Sequence, residues 1–390
     1  MVISKKPLHF IIAALVAFLP LFSNATQTAH SAAAATEEAH APEAKAHGHE
    51  AETANLSPEE KAEAERKAYV KHHLLDSHDF TLFSYGKGGE KHFGFHLPVI
   101  LYDNGLQVFS SSKFEHGEAV AESNGNYYKI NHHDGKVYKT DAAGTFTEDE
   151  KGHVTNAKPL DFSITKNVLM ILIVGLIMFL LFAGLGKSYK KNGSIAKGAG
   201  RFFEPIILYI RDDIAIPNIG EKHYKKYMSF LLTIFFFIWF LNMFGLTPLG
   251  VNITGNIAVT ASLAILTYLI TTFTAKKDYW AHIFWMPGVP YPMRIILAPI
   301  ELLGTIIKPF SLSIRLYANM LAGHIVLMSL VALMYKFNSP IGSPLSFLLA
   351  FVLSILEVLV ALLQAYIFTM LAALYFGSAV EEHHHDEAHH

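Results

Sequence analysis

The 390-residue sequence contains no cysteine. That excludes disulfide staples, thiol nucleophiles and cysteine-based metal sites. Charge is also scarce: Asp, Glu, Lys and Arg make up 16% of the chain, less than in a typical soluble domain. The formal net charge of −2 implies no nucleic-acid partner. Apolar residues fill the gap, at 52% of the chain with a mean hydropathy of +0.30, as in a membrane protein. Histidine is the one unusual excess, with 22 residues clustered mainly towards the two ends.

Lys5 and Lys6 precede an apolar run from Leu8 to Phe22 and the small-residue site Ser23-Asn24-Ala25. Residues 1–25 therefore read as a secretory signal cleaved after Ala25, the alternative being an uncleaved first anchor. Export makes the mature N-terminus extracytoplasmic and points to a bacterial inner (plasma) membrane. Residues 26–78, rich in Ala, Glu and His, lack the apolar content for a core and read as disordered, turning helical near their end. From 79 to 162 short alternating runs are broken by turns. VILYDNGLQVF is strand, Asn104-Gly105 turn, strand. YYKINHHDGKVYKT repeats the device with Asp134-Gly135. This predicts a small β-rich extracytoplasmic domain without a catalytic constellation. His132 and His133 beside Asp134 invite a metal reading that a polar hairpin turn explains equally well.

The rest, 163–378, reads as a membrane domain. Ile164–Leu185 is a first span. GLGKS at its end imitates a phosphate loop, but the required first glycine is Leu181 and no strand precedes it. Lys187, Lys190, Lys191, Lys197, Arg201 and Arg211 then mark a cytoplasmic loop, with Phe202–Ile216 as a surface helix. Met228–Leu246 is the second span, carrying Asn242, and Ile257–Thr274 the third, with Asn256 and Thr260 near its start. HIFWMPGVPYPMR is an interfacial connector, too broken by proline to span. Ala298–Tyr335 and Leu345–Phe376 would measure ~57 and ~48 Å as helices, against ~30 Å of hydrocarbon. Joined by a hard turn at Asn338–Pro344, they predict a strongly tilted hairpin. The fold class is thus an all-α polytopic membrane protein with five membrane-embedded helices behind a β-rich domain. A His- and acid-rich cytoplasmic tail, 379–390, follows.

The most informative stretch is Ala298–Tyr335. It keeps Glu301, Lys308, Arg315 and His324 in an apolar setting, and Arg cannot shed its proton. A charge at the bilayer centre costs at least ~2.5–3.5 kcal/mol, so Arg315 is there for use. Glu301, Lys308 and Arg315 are spaced by sevens and share one helical stripe. Ser311 and Asn319 flank Arg315 by one turn on either side. Gly304, Ala318, Ala322 and Gly323 leave room for another helix. In the last segment Glu357 and Gln364, also seven apart, are the strongly polar groups at depth.

KPFSLSIRLYANMLAGHIV resembles the signature of subunit a of the F-type ATP synthase, through Lys308, Pro309, Ser311, Leu312, Arg315, Leu316, Asn319, Ala322 and Gly323. The resemblance extends more weakly from about Phe203 to the C-terminus and leaves the first 160 residues uncovered. FLNMFGLTP resembles a second family element, with Gly245 where many members carry a carboxylate. Many members place Glu where this chain has His324 and His where it has Glu357, an exchange that keeps one acid and one imidazole and suggests contact between the two.

What the resemblance implies is a non-catalytic stator beside a rotating c-ring, with peripheral-stalk b subunits, membrane lipid and protons (sodium the alternative) as its other partners. It implies neither cofactor nor metal, and ATP chemistry falls to partner subunits. Arg315 would face the ring carboxylate and block leakage between two half-channels. Asn242, Glu357, His324, Asn319 and Gln364 would form the extracytoplasmic one, and Glu301 and Ser311 the cytoplasmic one. A secondary cation/proton transporter would also use buried Arg, Glu and His, but the sequence shows no inverted repeats. A membrane metalloenzyme would need a helical ligand set that the terminal histidines do not supply.

Overall fold

A computed structural model of the chain describes residues 76–85, 91–132, 134–149, 154–192, 198, 200–247, 251–285, 290–336 and 342–381. The predicted signal, the Ala/Glu/His-rich stretch up to 75, His133 and most of the C-terminal tail lie outside the described residues. The chain divides into two compact units. One draws on Met1–Leu172, Phe244–Ile253 and Gly323–Ser354, the other on Ile173–Met243, Thr254–Ala322 and Ile355–His390.

The first unit contains the β-rich domain. Its strands are β1 (Asp79–Tyr85), β2 (Lys91–His96), β3 (Pro98–Tyr102), β4 (Leu106–Ser110), β5 (Ala121–Ser123), β6 (Asn126–Ile130), β7 (Val137–Thr140) and β8 (Leu160–Asp161). They form antiparallel sheets ordered β1-β2, β4-β3-β8 and β5-β6-β7. Both predicted hairpins form. Asn104 and Gly105 take positive φ, 51° and 140°, which lets Tyr102 pair with Leu106. Asp134 tightens the second turn by accepting from the Lys136 amide and the Tyr138 hydroxyl. The alternation in β3 and β4 sends Val99, Leu101 and Phe109 inward to pack with Phe114, Ala121, Tyr128 and Val137.

Asp76–His78, just before β1, tie the domain to the first membrane helix, α1 (Lys166–Asn192). Asp76 accepts from the Asn167 amide at 3.2 Å, capping the helix start, and Ser77 accepts from the Lys166 amide at 2.8 Å. Buried His78 meets Asp161 at 3.3 Å, while Asp79 holds both His96 and Ser111. Burial opposes charge on His78, yet the hydrogen bond to Asp161 and the charges of Asp161, Asp76 and Asp79 outweigh it and raise its pKa. Asp161, also disfavoured by burial as an anion, is held below the ordinary range by His78 and Ser163. Burial pushes Asp76 upward against the opposing pull of its hydrogen bonds.

The helices that follow are α2 (Gly200–Tyr209), a π-helical turn (Ile210–Ala215), α3 (Ile216–Ile219), α4 (Tyr224–Gly245), α5 (Ile257–Thr274), α6 (Lys277–Phe284), α7 (Tyr291–Lys336) and α8 (Gly342–Val380). Among the described residues five helices are long and apolar enough to cross a membrane: α1, α4, α5, α7 and α8. Several ends differ from the sequence-based bounds. α1 runs on to Asn192, since the lysines that end the apolar run are good helix formers. The expected surface helix at 202–216 is split by the π turn. α7 starts at Tyr291, inside the expected connector, because Pro292 occupies a first turn whose amide needs no partner. The same reasoning lets α8 begin at Gly342 with Pro344 in its first turn. α7 also runs through Pro299 and Pro309 without ending.

The second unit is packed by aromatics. Phe236 of α4 meets Phe203 of α2 edge-on and Phe182 of α1, with centroids 5.6 and 4.9 Å away. Tyr227 stacks on Phe376 of α8 at 4.5 Å and donates to Thr274 at 2.7 Å. Gly377 is required here, since a Cβ would overlap the Asn218 carbonyl. On α8 the buried stripe Ala361, Ala365, Phe368, Ala372 and Phe376 repeats at helical spacing.

Candidate functional site

Among the described residues of the second unit, polar side chains bond across the helices. Asn242, fully buried on α4, accepts from Thr254 Oγ1 at 2.7 Å through its side-chain oxygen. Its amide nitrogen donates to the Ala361 carbonyl of α8 at 3.4 Å. One turn of α8 further on, Gln364 Oε1 accepts from Asn319 Nδ2 of α7 at 2.7 Å. The small Ala361 and Ala365 beside Gln364 allow this approach. Thr254 was not recognisable as part of the set, because a threonine between two spans carries no periodic signal. Asn256 serves as the N-cap of α5, accepting from the Ala258 amide. Thr260 lies 3.2 Å from Ser313 of α7 while also bonding the Ile257 carbonyl. Thr267 and Thr271 bond only to backbone carbonyls of their own helix in these contacts.

Arg315 lies on the outer face of α7 and is exposed, as are Lys308, Ser311, Ala318, Asn319 and Ala322. Leu312, Ser313, Leu316 and Met320 are buried on the opposite face. Among the described residues Arg315 makes no ion pair. A Cβ added at Gly304 would meet nothing, so this face stays open along several turns. Glu301 is half-buried towards Tyr279, whose pKa is raised by burial first and then by Tyr268 and Glu301. Thr305, Lys308 and Tyr375 line a small cleft with Tyr268 and Thr271, and the Lys308 ammonium stands 6.0 Å from the Tyr375 ring.

Glu357, in the second unit, is buried, and its Oε2 has no hydrogen-bond partner among the described residues. In the first unit His324 is buried beside Gly245. A Cβ on that glycine would lie 3.5 Å from His324 Nε2 and 3.2 Å from the Val251 carbonyl. The closer approach is to the Val251 carbonyl, so a side chain at 245 would press on that backbone, while the imidazole lies at ordinary contact distance. Among the described residues no group of three or more His, Asp or Glu is arranged to hold a metal.

Comparisons with known proteins identify the family. The family model described as ATP synthase A chain matches residues 168–377. A second family, a domain of unknown function (DUF8433), matches residues 69–162. ATP synthase subunit a of Chloroherpeton thalassium is 45% identical over 238 residues, covering 59% of this chain and 70% of that protein. That of an Anaeromyxobacter species is 39% identical over 239 residues, covering 59% of this chain but only 57% of the relative. ATP synthase subunit a 2 of Prosthecochloris aestuarii is 38% identical over 315 residues, covering 75% of this chain and 94% of that protein. The chain belongs to the ATP synthase A chain family.

Proposed function

We propose that this chain is the proton-translocating stator subunit of a rotary ATP synthase, a non-catalytic ion channel whose partner subunits carry the nucleotide chemistry. One observation carries the reading most directly. Arg315, permanently charged, sits exposed in a membrane span with no ion pair among the described residues, on a face edged with small side chains. Such a group needs an acid from outside the chain. A carboxylate on a neighbouring c-ring supplies it, and Arg315 favours the ionised form of that carboxylate as each ring site passes. A fixed cation there also repels protons from a direct crossing.

The extracytoplasmic half-channel runs by way of Asn242, Glu357, His324, Asn319 and Gln364. The two hydrogen-bonded pairs and the open Glu357 oxygen support this path. Glu301 and Ser311 serve the cytoplasmic half, next to the cleft at Lys308 and Tyr375. At 46 and 39 residues, α7 and α8 would measure ~69 and ~58 Å, which supports a steeply tilted hairpin lying along the ring. The driving force is the membrane potential, ~2.3 kcal/mol per charge per 100 mV, with the pH gradient. The reading places residues 1–25 as a signal, 79–162 outside the bacterial inner membrane, the Lys190 loop and the C-terminus inside, and peripheral-stalk b subunits beside the chain.

Disulfide trapping in the assembled complex tests the ring contact. A cysteine at Ala322 or Ser311 should cross-link to a cysteine on the outer helix of the c-subunit, whereas one at buried Leu316 should not. Equal trapping at all three positions, or at none, would remove the proposed interface.

A further inference from the structure

The sheet β4-β3-β8 buries one face and leaves the other uncovered. Its register sets Val108 opposite Ile100, and both Leu106 and Leu160 opposite Tyr102. The Phe162 amide donates to the Ile100 carbonyl at 2.8 Å, extending the ladder one step past β8. Tyr102, Leu106, Val108, Leu160 and Phe162 are all exposed, from 39% for Phe162 to 63% for Leu106. Asp161 is the one charged residue on the three strands, and it is turned away, towards His78. A soluble surface seldom leaves such a continuous apolar strip in water.

The tether to the membrane says what covers it. After Phe162 the chain stays bonded to its neighbours: the Ile164 amide donates to Pro98 and the Lys166 amide to Ser77, while Asp76 caps the first turn of α1. No slack linker intervenes between the sheet and the first span, which starts at Lys166. Lys166 is four residue steps beyond Phe162, at most ~14 Å of chain. The headgroup layer beyond the hydrocarbon is itself ~5–8 Å deep. An aliphatic strip carrying one tyrosine hydroxyl suits that layer, where apolar side chains sink and phenols stay wet. With no Lys or Arg on the strip, adhesion comes from buried apolar area and does not depend on anionic headgroups.

We infer that the outer face of this sheet is a lipid-docking surface, lying in the membrane interface beside the first span and fixing the β-rich domain against the bilayer. The inference does not depend on the proton path. The cysteine-free sequence permits a direct test in the complete complex, reconstituted in phosphatidylcholine vesicles. A nitrobenzoxadiazole dye is placed on Val108→Cys and Leu106→Cys, with exposed Glu122→Cys as the control site. The expected result is a blue-shifted dye at 106 and 108, quenched by shallow nitroxide lipid at least about threefold more than at 122, and shielded from aqueous iodide. The same result should hold in vesicles with added phosphatidylglycerol. Iodide access at 106 and 108 equal to that at 122 would overturn the inference. So would shielding from iodide without quenching by nitroxide lipid, since a protein partner would then cover the face.

Discussion

Asn319 on α7 and Gln364 on α8 are joined by a 2.7 Å hydrogen bond, with the glutamine buried and the asparagine one helical turn from Arg315. The bond links the arginine-bearing face to the polar stripe of α8. Gln364→Leu leaves the Asn319 amide without this acceptor, a loss of about 0.5–1.5 kcal/mol. If the pair carries or positions protons, flux per assembled complex should fall by up to roughly tenfold, because each 1.4 kcal/mol of barrier is a factor of ten. Gln364→Glu keeps an acceptor and should retain more flux than Gln364→Leu. Equal flux in the two variants would show that the bond serves packing alone.

Thr254 is the sharper test of the Asn242 arm. Thr254→Val keeps the shape and deletes the hydroxyl that donates to Asn242. The expected outcome is normal assembly with reduced proton flux, and recovery in Thr254→Ser. Loss of assembly with unchanged flux per complex would make Asn242 a helix lock.

Much of this site was legible because charge in a membrane span is costly and therefore rare. Arg315, Lys308 and Glu301 stood out by their sevenfold spacing, as did Glu357 and Gln364. Asn242 was visible as an amide inside an apolar run, but its partner Thr254 was not, since a loop threonine looks the same paired or unpaired. Asn256 stood out only as an amide near the start of the third span. Its position just before a helical run made it a cap. The tie between Asp76 and Asn167 spans 91 residues, and no local pattern announces such a pairing. Helix ends differ from the expected bounds where lysine follows an apolar run or proline sits in a first turn, since neither stops the backbone there. Both hairpins of the β-rich domain were legible because Asn-Gly and Asp-Gly encode positive φ directly.

The junction at His78 should respond to pH. Its raised pKa gives a contribution to stability that is fully present below the ordinary histidine value of 6.5 and is lost as pH rises through the raised value. Asp161, with a lowered pKa, contributes above 3.8 and loses that contribution as pH falls through its depressed value. Buried Asp76, shifted upward, adds a penalty as it ionises and so favours the acidic side. Hydrogen exchange corrected for intrinsic rates should therefore show amides at 160–167 less protected as pH rises from 6.5 through the raised His78 value. His78→Gln should flatten that dependence. A pH-independent profile in the unaltered chain would contradict the assignment.

His324 and Glu357 supply one imidazole and one acid to the proposed path. Glu357→Gln alone should slow transport, and His324→Glu should slow it more if both groups share one path, because two carboxylates on it raise one another's pKa and hold a proton. The combined exchange His324→Glu with Glu357→His restores one of each and should recover much of the flux per assembled complex, a non-additive outcome. Flux no better than in the worse single variant would argue that the two act separately.

Arg315 bears the central claim. Arg315→Lys preserves the charge and loses the planar fork and its reach, while Arg315→Ala loses both. The decisive measurement is ATP-driven proton pumping by membranes carrying each variant, normalised to assembled complex. Pumping should be abolished in both with assembly intact, and passive proton leak should rise in Arg315→Ala. Robust pumping by Arg315→Ala would contradict the account.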